Sequence, residues 1–159
     1  MMQAVQVKEL PEFRVASVLA FGPQPESEAW EKLRAWAESR GLLDAPGRRI
    51  FGFDNPGPST LSPNYGYELW LTVDADCDAS EGVEIKEVAG GLYAVVACDP
   101  GDDPVTTIPE AWRRLVAWRE ESAFASGRQQ WLEEHHVGPD GSMTLTLHLP
   151  LAREVAAIG

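Results

Sequence analysis

The sequence predicts an α+β fold: a two-layer sandwich of tandem strand-helix-strand-strand repeats about a pseudo-twofold axis, with two main helices on one face of an antiparallel sheet. Three observations carry this reading. Residues 5–22 (VQVKELPEFRVASVLAFG) lie over residues 83–100 (VEIKEVAGGLYAVVACDP) at a constant offset of 78, with Val5/Val83, Lys8/Lys86, Glu9/Glu87, Ala16/Ala94 and Val18/Val96 in step. AWEKLRAW from Ala29 lies over AWRRLVAW from Ala111 at offset 82, with five of eight positions identical. Leu145, Leu147 and Leu149 fall in phase with Tyr67, Leu69 and Leu71. Two copies of one unit in a chain of 159 residues are expected to form a single domain, with repeat 1 over about 3–75 and repeat 2 over about 82–151.

Val5–Leu10 and Phe13–Phe21 are apolar and rich in β-branched residues, broken by Pro11, and read as a kinked strand or two short ones. From Glu26 to Ser39 the period changes: Ala29, Trp30, Leu33, Trp36 and Ala37 form one face of an amphipathic helix, stopped by Gly41. A short strand at Ile50–Phe53 is followed by a loop, Asp54–Tyr65, dense in Pro, Gly, Ser and Asn. Tyr67–Val73 then alternates, with Tyr67, Leu69, Leu71 and Val73 on one side and Glu68, Trp70 and Thr72 on the other. The second copy repeats the order: strands near Val83–Val88 and Leu92–Cys98, a helix from about Pro109 to Glu121, and strands at about Gln130–Val137 and Met143–Leu149.

The bulk chemistry narrows the function. A net charge of -12 opposes phosphate backbones, so direct nucleic-acid binding is not expected. No leader and no 18-residue apolar run occurs, and Cys77 and Cys98 have no metal or redox spacing, which together predict a cytoplasmic chain with reduced thiols and no membrane partner. There is neither a glycine-rich phosphate loop nor a GxSxG elbow, and no cofactor is expected.

If the apolar side of each strand packs on the helices, the remaining sheet face is unusual. It is expected to carry Glu68 and Trp70, Thr146 and His148, and, with Leu132 in the helix-packed layer, Trp131, Glu133 and His135. The alternative phase of the 131–137 strand exchanges Glu133 for Glu134. Aromatic walls around a carboxylate suit an organic cation, by cation–π contact and charge neutralisation. That makes the second face a ligand groove, against the plainer reading of a solvated or oligomer-covered sheet. Glu133, His135 and His148 are zinc-compatible in type, but strand neighbours commonly share a face and no metal site is expected.

The tandem repeat, the paired AWxxLxAW helices, NYGYELWLTV and RQQWLEEHHV make the chain resemble the GyrI-like, AraC-type effector-binding domains over nearly its full length. The resemblance implies a groove on the pseudo-twofold axis, lined by aromatics around a central glutamate that binds cationic or amphipathic molecules. Glu133 matches that glutamate by position, with Tyr67, Trp70 and Trp131 as walls, and Glu68, Tyr65, His135 and His148 as further ligand-binding candidates. His135 stands where the family often has Tyr. The chain begins almost at once with its first strand and has no helix-turn-helix of its own, so action as a transcription factor by itself is not expected. Sensing or sequestration of an aromatic or cationic small molecule is the leading reading. The alternatives are a hydrolase of strained electrophiles, with Glu133 as the catalytic carboxylate and Tyr67, Tyr65 or His135 as its partner, and a protein-interaction modulator of the gyrase-inhibitor kind. A homodimer or a protein partner is compatible with either.

Overall fold

A computed structural model describes residues 4–43, 47–57, 59, 61–78 and 82–153. The elements in chain order are β1 (Gln6–Leu10), β2 (Phe13–Gly22), α1 (Pro25–Glu38), β3 (Ile50–Asp54), β4 (Tyr65–Thr72), β5 (Glu84–Val88), β6 (Gly91–Cys98), α2 (Pro104–Glu121), β7 (Ala125–Ser126), β8 (Leu132–Val137) and β9 (Met143–Ala152). All named strand pairings are antiparallel and the fold is α+β. The chain divides into two compact units, one spanning 12–88 and the other combining 1–11 with 89–159.

In the 12–88 unit, β2 lies between β4 and β5, and β4 also pairs with β3. The alternation read from Tyr67 to Val73 is realised: Tyr67, Leu69, Leu71 and Val73 pack with Ala16, Val18 and Ala20 of β2 against Ala29, Leu33, Trp36 and Ala37 of α1. Pro25 opens α1 with Glu26 and Glu28 in its first turn, where acidic side chains suit the positive end of the helix dipole. Leu33 is fully buried, and truncation there to Ala costs about 2–5 kcal/mol by the usual cavity penalty.

The other unit is built alike. β6 lies between β1 and β9, and β9 pairs with β8 and, at its end, with β7. Ala94, Val96, Cys98, Leu145, Leu147, Leu149 and Leu151 form the sheet side of a core closed by Leu115, with Ile108, Trp112, Val116 and Trp118 of α2 packed against it. This helix starts at Pro104, five residues before the position expected. Pro109, which reads as a first-turn proline, lies inside it, and Pro104 fills the opening position instead.

The kink at Pro11 separates strands that serve different units: β1 pairs with β6, whereas β2 pairs with β4 and β5. At the turn into β6, Gly90 has φ +76°, and a Cβ there would lie 2.3 Å from the Leu10 carbonyl oxygen and 2.5 Å from that of Pro11. Only glycine lets the two backbones approach so closely.

Candidate functional site

Residues directly opposed in an antiparallel ladder share a face. Leu132 opposes His148, Glu133 opposes Leu147, Glu134 opposes Thr146 and His135 opposes Leu145. Since Leu145 and Leu147 lie under α2, Glu133 and His135 point to that same side of the sheet. The expectation that Trp131, Glu133 and His135 face away from the helix with His148 is therefore corrected. Leu132, fully buried, is the apolar residue of the far face, and Glu134 shares that face with His148.

On the helix side Trp112 stacks on Trp131, with ring centroids 5.3 Å apart and planes tilted by 34°. The Trp112 indole Nε1–H donates to Glu133 Oε2 at 3.2 Å. Trp131 is 41% exposed, a large apolar side chain left partly to solvent. The Arg119 guanidinium lies over its ring, 5.6 Å from the centroid, so one ring face already meets a cation. Two residues beyond Glu133, burial pushes the His135 imidazole down to about 4, helped by His136 and opposed by Glu134. His135 is consequently neutral at pH 7; its Nδ1 lies 3.4 Å from Met143 Sδ. The Glu133 charge is felt below it: the Cys98 thiol is pushed up by burial first, then by Glu133 and Asp99.

The far face of this unit holds a second polar group. His148, 2% exposed, has its Nε2 3.8 Å from Glu134 Oε1 and its Nδ1 3.1 Å from the Thr146 carbonyl oxygen. Its ring meets Tyr93 edge-on at 5.7 Å. Burial raises the Tyr93 hydroxyl to about 12.

In the 12–88 unit, Glu68 and Trp70 do face away from α1, but as a closed polar centre. Glu68 is 2% exposed and accepts hydrogen bonds from Ser17 Oγ (2.7 Å), Asn55 Nδ2 (2.9 Å), Trp70 Nε1 (2.6 Å) and Lys86 Nζ (2.7 Å). Burial alone would raise its pKa, and these four donors, Lys86 foremost, bring it below the ordinary carboxylate value. Trp70 is wedged edge-on between Phe53 at 4.8 Å and Phe13 at 6.4 Å. Asn55 reaches Glu68 because the loop backbone hugs β4: the Asn55 amide donates to the Gly66 carbonyl at 2.8 Å, and the Gly66 amide to that of Pro56 at 2.9 Å.

Tyr65 and Tyr67 flank Gly66 and separate in role. Tyr67 is 3% exposed within the core under α1, so its placement as a groove wall or catalytic partner is corrected to a packing role. Tyr65 donates to both carboxylate oxygens of Glu26, at 2.5 and 2.8 Å, and its hydroxyl is pushed up to about 12 by burial and that carboxylate. Asp54 is raised by burial and then by Glu26.

The predicted set is thus distributed. Trp131 and Glu133 meet Trp112 of α2, His135 lies further along the same face of β8 against Met143, Tyr65 stands beside α1, and Glu68, Trp70 and His148 are buried on the faces turned from the helices. Sequence reading missed the Trp112 contact, since core packing is the default for tryptophans flanking one broad helix face, and the Ser17, Asn55 and Lys86 donors, which sequence separation conceals. Among the described residues no group of three or more His, Cys, Asp or Glu is arranged to hold a metal ion. No helix among them is long and apolar enough to cross a membrane.

Residues 3–146 match the family described as the GyrI-like small molecule binding domain, and the chain belongs to that family. It is similar in structure to the EcmrR C-terminal domain, at a TM-score of 0.69 and 16% identity over 96% of this chain and 99% of that one. In the EcmrR–DNA complex the match spans 59% of the relative's chain. SAV2435, solved bound to tetraphenylphosphonium, matches at a TM-score of 0.64 and 14% identity, covering 94% of each chain. A hydrolase from Listeria innocua matches at 0.63 and 12% identity, covering 95% of this chain and 93% of that one. No curated protein matches the sequence.

Proposed function

We propose that the chain binds small aromatic organic cations, with Glu133 as the counter-charge and Trp131 and Trp112 as the aromatic wall. The observation that carries this reading is the partly exposed Trp131 ring stacked on Trp112, whose indole holds the Glu133 carboxylate. An aromatic cation entering there gains ring contact and charge neutralisation together, and exchanges with the Arg119 guanidinium already seated on the ring. Neutral His135 adds no opposing charge at pH 7, and the net charge of -12 favours approach of cations. The bound cation of SAV2435 is a lipophilic one, which agrees with this ligand class.

A hydrolytic use of Glu133 is the second reading. Its candidate partner is His135, two residues along the same face and unprotonated at pH 7, although burial makes that imidazole a weak base. Calorimetric titration with tetraphenylphosphonium, and with neutral and anionic analogues of like size, tests binding. Saturable binding of the cation, reduced at least tenfold in Glu133→Gln and Trp131→Ala, is expected; equal affinity for the anion would overturn the proposal. Turnover of an ester and epoxide panel that collapses in Glu133→Gln would establish the hydrolytic alternative.

A further inference from the structure

A cavity of about 370 Å³ lies between the N-terminal half of α2 and β6. Its floor is apolar, made by Val96, Cys98, Ala111 and Leu115, with Val5 at one side. Thr107 and Arg114 stand at its rim. Thr107, Ala111 and Arg114 are spaced i, i+4, i+7 and form one stripe of α2, whereas Trp112 is turned about 100° from Ala111. The cavity therefore occupies a flank of the helix different from that of the Trp112–Trp131 pair.

Its chemistry differs as well. Glu110 at the rim is paired with both Arg113 and Arg114, so its carboxylate is already neutralised. Asp99 is exposed, and one of its carboxylate oxygens accepts the Gly101 amide at 3.0 Å. The Cys98 side chain, 5% exposed, is a protonated thiol. Nothing on the floor compensates an ionic ligand, while the Thr107 hydroxyl, without a hydrogen-bond partner among the described residues, offers a donor and an acceptor. The volume falls within the range of about 300–1,000 Å³ usual for small-molecule sites.

We propose that this α2–β6 cavity is a second ligand site, which takes a small uncharged aromatic molecule with one hydrogen-bonding group: rings on Val96, Ala111 and Leu115, polar group on Thr107. It is independent of the cation site at Glu133.

The neutral fluorophore N-phenyl-1-naphthylamine is the probe, used with the full chain. Saturable one-to-one enhancement is expected in the parent protein and in Glu133→Gln. At least a tenfold loss of affinity is expected in Thr107→Trp, whose indole fills the rim, with the circular dichroism spectrum unchanged. A second readout does not depend on that variant folding. In Cys77→Ser, saturating probe should slow iodoacetamide alkylation of Cys98, followed by mass spectrometry, at least fivefold. Non-saturable binding, equal affinity in folded Thr107→Trp, loss of binding in Glu133→Gln, or unprotected Cys98 would each overturn the proposal.

Discussion

Glu133 and Glu134 are neighbours in the chain and belong to opposite faces of β8: the first accepts the Trp112 indole under α2, the second lies 3.8 Å from the buried His148 imidazole. Strand geometry forces this division, since successive side chains alternate. Glu134 is 7% exposed, whereas Glu133 stands beside a tryptophan that solvent reaches.

The two carboxylates should respond oppositely to removal of charge. Glu133→Gln is expected to lower affinity for tetraphenylphosphonium at least tenfold with the melting temperature nearly unchanged. Glu134→Gln is expected to leave that affinity within twofold and to destabilise the fold by about 1–3 kcal/mol, the cost of disturbing a buried polar pair. Paired calorimetry and thermal melts separate the outcomes; a shared effect on both observables would refute the division.

Glu68 should be a stability residue. Glu68→Gln loses the ionic partner of Lys86 and weakens three other donors, for an expected cost of about 2–3 kcal/mol in urea denaturation. Its folded pKa lies below the unfolded value of 4.5. Hence its stabilising contribution is full above the ordinary carboxylate range and is lost as pH falls through the folded value. The difference in stability between parent and Glu68→Gln should therefore be constant from pH 8 to 6 and shrink below about 4.5.

His135 should titrate near 4 in proton NMR, against 6.5 in the unfolded chain. Because the unfolded chain takes up the proton first, stability falls as pH drops from about 6.5 to about 4 and is no longer affected by this group below that. In His135→Gln this part of the pH dependence should vanish.

Gly66→Ala should disturb Glu68 from a distance of two residues. A Cβ on Gly66 would sit 1.8 Å from the Asn55 carbonyl oxygen, an overlap with backbone that no rotamer relieves. The loop must withdraw and take Asn55 from Glu68. A destabilisation of about 2 kcal/mol or more is expected, within the range for a change that forces backbone to move. In a double-mutant cycle with Asn55→Ala the two losses should fall short of additive.

The layer under α1 was legible because one side of β4 is wholly apolar and α1 has a single apolar stripe: Tyr67, Leu69, Leu71 and Val73 admit one phase only. The phase of β8 was not, because Trp131 and Leu132 are both apolar and either can be imagined in the core. Ladder register decides it by placing Leu132 opposite His148. Glu68 shows the second limit. Its alternation is local and was read correctly, but three of its four donors come from positions 13 to 51 residues away, and no periodicity reports them. A carboxylate that resembles a vacant counter-charge in sequence is therefore already neutralised in the fold.

The separation of β1 from β2 bears on how the protein is made. β1 leaves the ribosome first, yet its partner β6 begins at residue 91; β2 must likewise wait for β5, which begins at residue 84. Neither unit can complete its strand complement until more than half the chain has been synthesised. A nascent chain halted near residue 75 would hold α1, β3 and β4 but present β1, and the β2 edge reserved for β5, to the surroundings. Truncation between β4 and β5 therefore removes strands from both units.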